Sequence, residues 1–264
     1  MVRSARSLSA ALVQASDRTE YARSRGRFER TFPRLVPVPR EPIPLLSKDG
    51  IEIRLADGAS GDEIDGLVSR MYRQRGYLTP GARIAASSPA LGHQVTLEAR
   101  HEGCTVGTLT VNPGSMRALN AEELYADEIL PYRARGGRVC EFTRLALDSE
   151  HCNKPALGCL FHIGFIFAFH VYRAADLFIE VNPRHALFYQ RKLNFELAGE
   201  EKMCARVSAP AVLLHKDLAQ CAQEIARFGG ERVPENRTFY AFMLTPHEEQ
   251  SAVATLFRLF PHRA

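Results

Sequence analysis

A strand, a long apolar helix and a second strand follow one another directly in the middle of the chain. The first strand pattern covers residues 137–148, GRVCEFTRLALD, the helix covers 154–175, KPALGCLFHIGFIFAFHVYRAA, and the second strand covers 176–182, DLFIEVN. Two strands joined by a single helix run parallel, and the crossover is right-handed. This unit predicts an α/β fold with a mixed sheet and helices on both faces.

Further strands and helices are predicted on either side of this unit. A hairpin is indicated by two alternating runs, 94–100 and 104–112, which flank the turn signal HEG. The other predicted strands are 51–57, 195–208 (one or two strands) and 237–244, and the other predicted helices are 62–76, 121–130, 183–194, 216–228 and one from about 246.

Charge and proline content divide the chain into three expected regions. Residues 1–48 contain ten Arg and Lys, four acids and five prolines, which is typical of a flexible basic leader. The leader has no apolar region of the kind that a secretory signal needs. Residues 49–208 are expected to form the core, and residues 209–264 an extension packed on it.

The cysteines and the apolar runs indicate a cytoplasmic protein without a metal. The six cysteines have no paired spacing, which is typical of a reducing compartment. His151, Cys152, Cys159 and His162 match no common zinc spacing, so small buried side chains are the favoured interpretation. The longest apolar stretch contains two histidines, so no membrane span is expected.

Two charged residues interrupt the apolar strand CEFTRLAL at 140–147. Glu141 and Arg144 need a partner or a use, because charged side chains are rarely buried without one. Regular alternation would direct them to opposite faces of the sheet. A β-bulge between them would turn both toward one cleft.

The motifs resemble those of a known superfamily. In VNPRHALFYQRKLNFELAG (181–199), Asn182, the pair Phe188–Tyr189 and the turn at Asn194 resemble the C-terminal motif of the Gcn5-related N-acetyltransferase (GNAT) fold. The Glu-x-Thr-Arg sequence at 141–144 resembles the signature of acyl-homoserine-lactone (autoinducer) synthases. Over about residues 50–250, the chain is similar to the long-chain N-acyl amino acid synthases of the FeeM type. The resemblance implies a GNAT-like acyl-CoA N-acyltransferase fold with extra C-terminal helices.

The loop before the long helix bears on the acyl donor. Acetyltransferases of this fold hold the coenzyme A pyrophosphate on a glycine-rich loop at a helix N-terminus. The loop SEHCNKPALGC (149–159) has one glycine, Gly158, and Pro155 removes an amide donor. This sequence favours acyl-phosphopantetheine on acyl carrier protein as the donor, with acyl-CoA as the alternative. No bound cofactor is expected.

The resemblance assigns three candidate catalytic residues. Glu141 is the expected base for the substrate amine, and a structural ion pair is the alternative. Arg144 is expected to meet a substrate carboxylate, a donor phosphate or a structural glutamate. Tyr189 is expected to protonate the leaving thiolate, or simply to pack. Backbone amides at a bulge would form an oxyanion hole.

Three further residues from the same motifs are candidates for substrate binding. Asn182 is expected to bond the pantetheine amide where the strands separate. Thr143 positions a substrate group or packs in its strand. His185 is expected to cap the helix or to orient a substrate group, or else to be exposed to solvent.

The acceptor and the acyl chain are expected to meet other parts of the chain. Four residues before Gly76 and Tyr77 lie where the first helix reaches the cleft: Arg70, Tyr72, Arg73 and Arg75. They resemble the family's acceptor side, and any one of them could bind the substrate carboxylate; Arg73 and Tyr77 are the favoured candidates. Phe161 and Phe165 recur at helical spacing, so they either belong to the core or form the wall of an acyl tunnel.

The favoured function is transfer of a medium or long acyl chain from acyl carrier protein to an amino acid or a similar small amine. Alternatives are an autoinducer-type lactone synthase, disfavoured because the chain has no tryptophan, a coenzyme A-dependent acetyltransferase, and an inactive protein that binds acyl carrier protein. The positive charge of the leader makes nucleic-acid binding a further alternative. It is not expected, because no known nucleic-acid-binding motif supports it.

Overall fold

A computed structural model describes residues 44–78, 94–114 and 118–259. The predicted α/β class with a mixed sheet is confirmed. The eight strands are β1 Pro44–Lys48, β2 Ile51–Leu55, β3 Val95–His101, β4 Cys104–Pro113, β5 Val139–Leu147, β6 Asp176–Val181, β7 Glu196–Cys204 and β8 Ala209–Asp217. The α-helices are α1 Gly61–Gln74, α2 Glu122–Ala134, α3 Lys154–Ile166, α4 Pro183–Leu193, α5 Leu218–Phe228 and α6 Pro246–Leu259.

The strands form one sheet in the order β1-β2-β3-β4-β5-β6-β8-β7. The pair β5–β6, on either side of α3, is parallel, and the hairpin β3–β4 is antiparallel, both as predicted. Every other pairing is antiparallel. The crossover unit therefore lies inside the sheet, with hairpins on both sides.

The long apolar helix is the centre of the larger core. Nearly all side chains of α3 are buried, which explains why its sequence is apolar on every face. The window 154–171 is long and apolar enough to span a membrane, but 72% of it is buried inside the fold. A π-helical turn, Phe167–Val171, ends the helix, so the predicted end at 175 is slightly too late.

Successive residues of β6 point to opposite faces of the sheet, as the period of a strand requires. Leu177 and Ile179 belong to the α3 core. Phe178 belongs to a separate cluster with Tyr125 and Ile129 of α2. Helices therefore cover both faces, and β6 is buried between them.

The sheet extends beyond the expected core region of 49–208 on both sides. Residues 44–48, expected in the leader, form β1 and pair with β2. Residues 209–217 form β8 and lie between β6 and β7. The rest of the leader, residues 1–43, lies outside the described residues. All six cysteines are free.

The predicted strand at 237–244 is wrong, because residues 239–242 form a 3-10 helix. This segment meets helices rather than a sheet edge. Tyr240 is buried, and its hydroxyl donates to the Leu193 carbonyl (3.0 Å) and to Glu224 Oε2 (2.6 Å). The apolar residues that predicted a strand pack against α3 and α5 instead.

Gly158 lies where α3 approaches the 3-10 helix most closely. A Cβ atom built there would lie 2.4 Å from the Phe242 carbonyl oxygen, a backbone atom. Gly158→Ala is expected to lower the free energy of unfolding by about 1–3 kcal/mol, measured by denaturant unfolding. The matched control is Gly66→Ala on α1, where a Cβ atom meets nothing within 4 Å. That change should leave stability equal or slightly higher, and an equal loss in both variants would contradict the packing argument.

Candidate active site

A cavity of about 220 Å³ lies where β5 and β6 separate. The parallel pairing ends at Glu141 and Phe178, although both strands continue for several residues. Beyond that point the strands diverge, and residues 142–145 of β5 and 179–182 at the end of β6 line the cavity. The other walls come from the end of α1, from α3 and α4, and from residues 204–221 and 240–243.

A β-bulge in β5 brings both charged residues of CEFTRLAL to this cavity. Thr110 pairs with Thr143 and Thr108 with Ala146, so β5 has one more residue than β4 in this interval. Arg144 has a φ of 53°, in the left-handed region. Glu141 and Arg144 line the same cavity, in agreement with the arrangement that a bulge predicts.

Glu141 is bound by neutral donors rather than by Arg144. It is 2% exposed and accepts hydrogen bonds from Asn112 Nδ2 (2.8 Å), the Asn120 amide (2.7 Å) and the Ala121 amide (3.1 Å). Burial raises the pKa of Glu141, while the three donors act in the opposite direction. The carboxyl group therefore anchors the segment that enters α2.

Arg144 is bound to Asp65 on α1. The Arg144 side chain is only 12% exposed, whereas the Asp65 side chain is 29% exposed. This ion pair connects the bulge to α1. The glutamate partner considered for Arg144 from sequence is thus replaced by an aspartate from another element.

One face of α4 contributes three of the predicted residues. Asn182, His185 and Tyr189 all line the cavity. Asn182 caps the helix, since its Oδ1 accepts from the Arg184 amide (3.2 Å), and its Nδ2 donates to the Pro210 carbonyl (3.1 Å). Burial raises the pKa of Tyr189, so its hydroxyl is protonated at neutral pH.

The end of α1 supplies the mouth of the cavity. Tyr77 lines it as predicted, but Arg73 is exposed and is not among the lining residues; Arg75 lines it instead. Gly76, with a φ of 73°, turns the chain after the helix ends. Arg184 lies over the Tyr77 ring at 5.0 Å.

Aromatic and other apolar side chains line the inner part of the cavity. Thr143, Phe161 and Phe165 line it, and the Phe161 and Tyr189 ring centroids are 6.2 Å apart. Leu218, Cys221, Tyr240 and Met243 also line the cavity, and because all four are buried in the core we take them as its far end. Phe161 and Phe165 are buried in the core and also border the cavity, so a role in binding the acyl chain stays a prediction.

Two ion pairs at the cavity could not be found from sequence spacing. Glu180 Oε2 accepts from Arg206 Nη2 at 2.6 Å, and both residues line the cavity. Lys216 also lines the cavity, is 1% exposed and bonds Glu224 at 2.7 Å. The partners lie on different elements, and Glu180 meets Arg206 because the chain after Arg206 enters the sheet beside β6.

The N-terminus of α3 is occupied by protein groups. Asn153 Oδ1 accepts from the Ala156 amide at 3.0 Å, and Pro155 is in the first turn. Gly158 is used for packing against Phe242. Residues 149–158 do not line the cavity, which fits the sequence argument that a pyrophosphate cradle is poorly built here.

His162, one of the residues considered for a metal site, makes a hydrogen bond inside the core. His162 is fully buried, and its Nδ1 accepts from the Leu244 amide at 3.0 Å. Among the described residues, ligand atoms of Asp148, Glu150 and His151 lie within 4.8 Å of one another. Asp148 is half-buried and the other two are exposed, and all three lie outside the cavity lining.

The separated parallel strands, the bulge and the cavity between them define a GNAT-like acyltransferase. Residues 63–217 match the family model described as N-acyl amino acid synthase FeeM. Because this match covers more than half of the chain, the protein belongs to the FeeM N-acyl amino acid synthase family. It is therefore an N-acyltransferase.

Several solved structures are similar to this chain. FeeM, an N-acyl amino acid synthase from uncultured soil microbes, is 22% identical with a TM-score of 0.57, covering 65% of this chain and 97% of that one. An N-acetyltransferase from Staphylococcus aureus is 13% identical, with a TM-score of 0.45 and coverage of 64% and 98%. An acyl-CoA N-acyltransferase from Pseudomonas aeruginosa is 13% identical, with a TM-score of 0.43 and coverage of 61% and 92%. No curated protein matches the chain significantly.

Glu141→Gln is expected to lower the free energy of unfolding by about 1–3 kcal/mol, because an amide NH₂ replaces one of the accepting oxygens. The loss should depend on pH. Since the pKa of Glu141 is raised in the folded state, wild-type stability should fall as pH rises from the ordinary value of 4.5 through the raised pKa. The variant lacks this dependence, so its deficit should be largest at low pH.

Denaturant unfolding from pH 4 to pH 8 measures this difference. The control is Glu201→Gln, which changes an exposed glutamate on β7. A deficit for Glu141→Gln that grows with pH would contradict the burial argument.

Proposed function

We propose that this protein transfers a medium or long acyl chain from acyl carrier protein to the amine of an amino acid or a similar small amine. The observation that carries the proposal is the continuity of the cavity. It joins the backbone of the β5 bulge to a far end closed by Leu218, Cys221, Tyr240 and Met243. An acetyl group needs no such apolar depth, whereas a long acyl chain does.

The bulge supplies the electrostatic part of the proposed chemistry. Attack of an amine on a thioester carbonyl places negative charge on the carbonyl oxygen. Residues 142–145 lie beside β4 on one edge but beyond the pairing with β6 on the other, so amides on the β6 edge of this segment would bind that charge. Tyr189, on the facing helix, would give a proton to the departing thiolate, and Asn182 would meet the pantetheine arm near the point of strand separation.

Glu141 is the candidate base predicted from the sequence, and burial raises the pKa of its carboxyl group. Its oxygens also hold Asn112 and the 120–121 amides. Glu141→Gln should therefore lower activity partly by loosening the cavity wall. Lost activity in that variant does not by itself identify the base.

Exposed charge beside the cavity supports acyl carrier protein as the donor. Arg184, Arg191 and Lys192 are exposed on α4, the helix that lines the cavity. The Leu187 side chain, 56% exposed, lies between these cations. Cations around an apolar side chain suit an acidic protein surface and speed encounter with it. A cytoplasmic location remains a prediction.

The first experiment incubates the purified protein with long-chain acyl carrier protein and a mixture of the standard amino acids, and mass spectrometry detects N-acyl products. Tyr189→Phe should lower the rate about tenfold, with donor binding retained. The control is Tyr132→Phe, whose ring packs on Phe178 at 5.1 Å outside the cavity.

Parallel reactions test the other functions. Faster turnover with acyl-CoA than with acyl carrier protein would identify acyl-CoA as the donor. A lactone made from S-adenosylmethionine would indicate an autoinducer-type synthase. Donor binding by folded protein, without product from any acceptor, would favour an inactive binding protein and contradict the proposal.

The far end of the cavity should set the preferred chain length. Met243 is 3% exposed and lines the cavity, so Met243→Ala should shift the preferred acyl chain longer by about two to three carbons, the length of the removed side chain, and lower stability by about 2–5 kcal/mol. Leu256→Ala removes an equally buried side chain from α6, outside the cavity. This control should lose stability without a change in chain preference. An identical chain-length profile for Met243→Ala and wild type would contradict the assignment.

A further inference from the structure

Two buried polar atoms face the cavity without a protein partner. His185 Nε2 and the Tyr77 hydroxyl have no hydrogen-bond partner among the residues that the structure describes. Both side chains line the cavity, and they come from different elements, α4 and the end of α1. Buried polar atoms are nearly always hydrogen-bonded, and an exception calls for an explanation such as a bound ligand. Both atoms are therefore available to a polar group of a bound substrate.

The position of His185 is fixed by its helix. It lies in the first turn of α4, where its amide donates to the Asn182 carbonyl at 2.9 Å. Tyr189 follows one turn later and lines the same cavity. A substrate nitrogen that meets His185 therefore lies on the same side of the cavity as the hydroxyl proposed to protonate the thiolate.

The charges around His185 keep its ring neutral. Burial, Arg75 and Arg184 all lower the pKa of His185. The two carboxylates that line the cavity have other partners, since Glu141 accepts from the 120–121 amides and Glu180 from Arg206. Burial raises the pKa of Tyr72, another residue that lines the cavity, so its hydroxyl is protonated at neutral pH. A neutral imidazole with its proton on Nδ1 leaves the Nε2 lone pair free to accept a proton.

We infer that His185 is the base that takes a proton from the substrate ammonium, while Tyr77 and Arg75 hold the acceptor at the mouth of the cavity. This role rests on the proposed acyl transfer and names the group that would accept the proton of the acceptor amine. Arg75 lines the mouth, and among the described residues it has no ion-pair partner. A guanidinium beside the base favours an acceptor with a carboxylate close to its amine, which is an amino acid.

The proton balance of the reaction is complete with these groups. The ammonium gives one proton to His185 Nε2, and the neutral amine attacks the thioester carbonyl to form the C–N bond. Collapse of the tetrahedral intermediate breaks the C–S bond. Tyr189 gives its proton to the thiolate, and the second proton of the attacking nitrogen then restores the Tyr189 hydroxyl. The imidazolium releases its proton to water. The products are an amide, a thiol and one proton.

The test compares acceptors that do and do not need a base. His185→Gln keeps a hydrogen-bonding side chain but is not basic. With long-chain acyl carrier protein and amino acids at neutral pH, this variant should lose about 100-fold in kcat/KM. With aminooxyacetate, which has a carboxylate and an amine already neutral at this pH, it should stay within about threefold of wild type. The loss with amino acids should shrink as pH rises, because more of the substrate amine is then neutral in solution.

Controls separate a base from a structural residue. His185→Asn should behave like His185→Gln, and His247→Gln, in the first turn of α6 and exposed, should behave like wild type with both acceptors. Unfolding curves check that each variant is folded. A general structural defect would reduce turnover of both acceptors equally, and that result overturns the inference.

The outcomes also separate this inference from the proposed function. No amide from wild type with any acceptor would overturn the acyl transfer and the base role together. Normal turnover of amino acids by folded His185→Gln would overturn the base role alone. Recovery with aminooxyacetate in Glu141→Gln but not in His185→Gln would assign the base to Glu141.

Discussion

The ion pair between Arg144 and Asp65 connects the two parts of the structure that the cavity requires. Arg144 occupies a left-handed backbone conformation in a bulge, which is costly for a residue with a side chain. A mostly buried guanidinium also needs a counter-charge. Asp65 supplies it from α1, so the helix that carries the cavity mouth is held against the strand that carries the bulge. Glu141 does the same for the segment that enters α2, through three hydrogen bonds.

This arrangement explains which features the sequence could predict. The β5–α3–β6 unit could be predicted because α3 is apolar on every face and both strands are short apolar runs. The position of strand β8 could not be predicted, because its apolar residues 209–217 leave no local sign that the chain enters the sheet between β6 and β7. Likewise, residues 237–244 have the composition of a strand, but helices on both sides give them a 3-10 turn. Tertiary packing overrides local propensity at these positions.

The site shows the same division. Glu141, Tyr189 and His185 were accessible to sequence reasoning because they belong to contiguous motifs on elements that meet at the strand separation. The choice between Arg73 and Arg75 depends instead on where α1 ends, and helix ends are the least predictable part of an element. The ion pair between Glu180 and Arg206 depends on the position of β8. It could not be predicted from the sequence for the same reason as the position of the strand itself.

The C-terminal helix has a consequence for how the protein handles a long chain. Only Ala252 and Leu256 of α6 are fully buried, and Lys48 on β1 ties the helix to the sheet through Glu248 at 2.7 Å. The 3-10 segment that closes the cavity leads directly into this helix. Elements with few buried contacts open locally at low free-energy cost. Local unfolding of α6 would free the far end of the cavity while β5 and its bulge stay folded. The range of chain lengths accepted would then reflect a local opening equilibrium as well as a fixed volume.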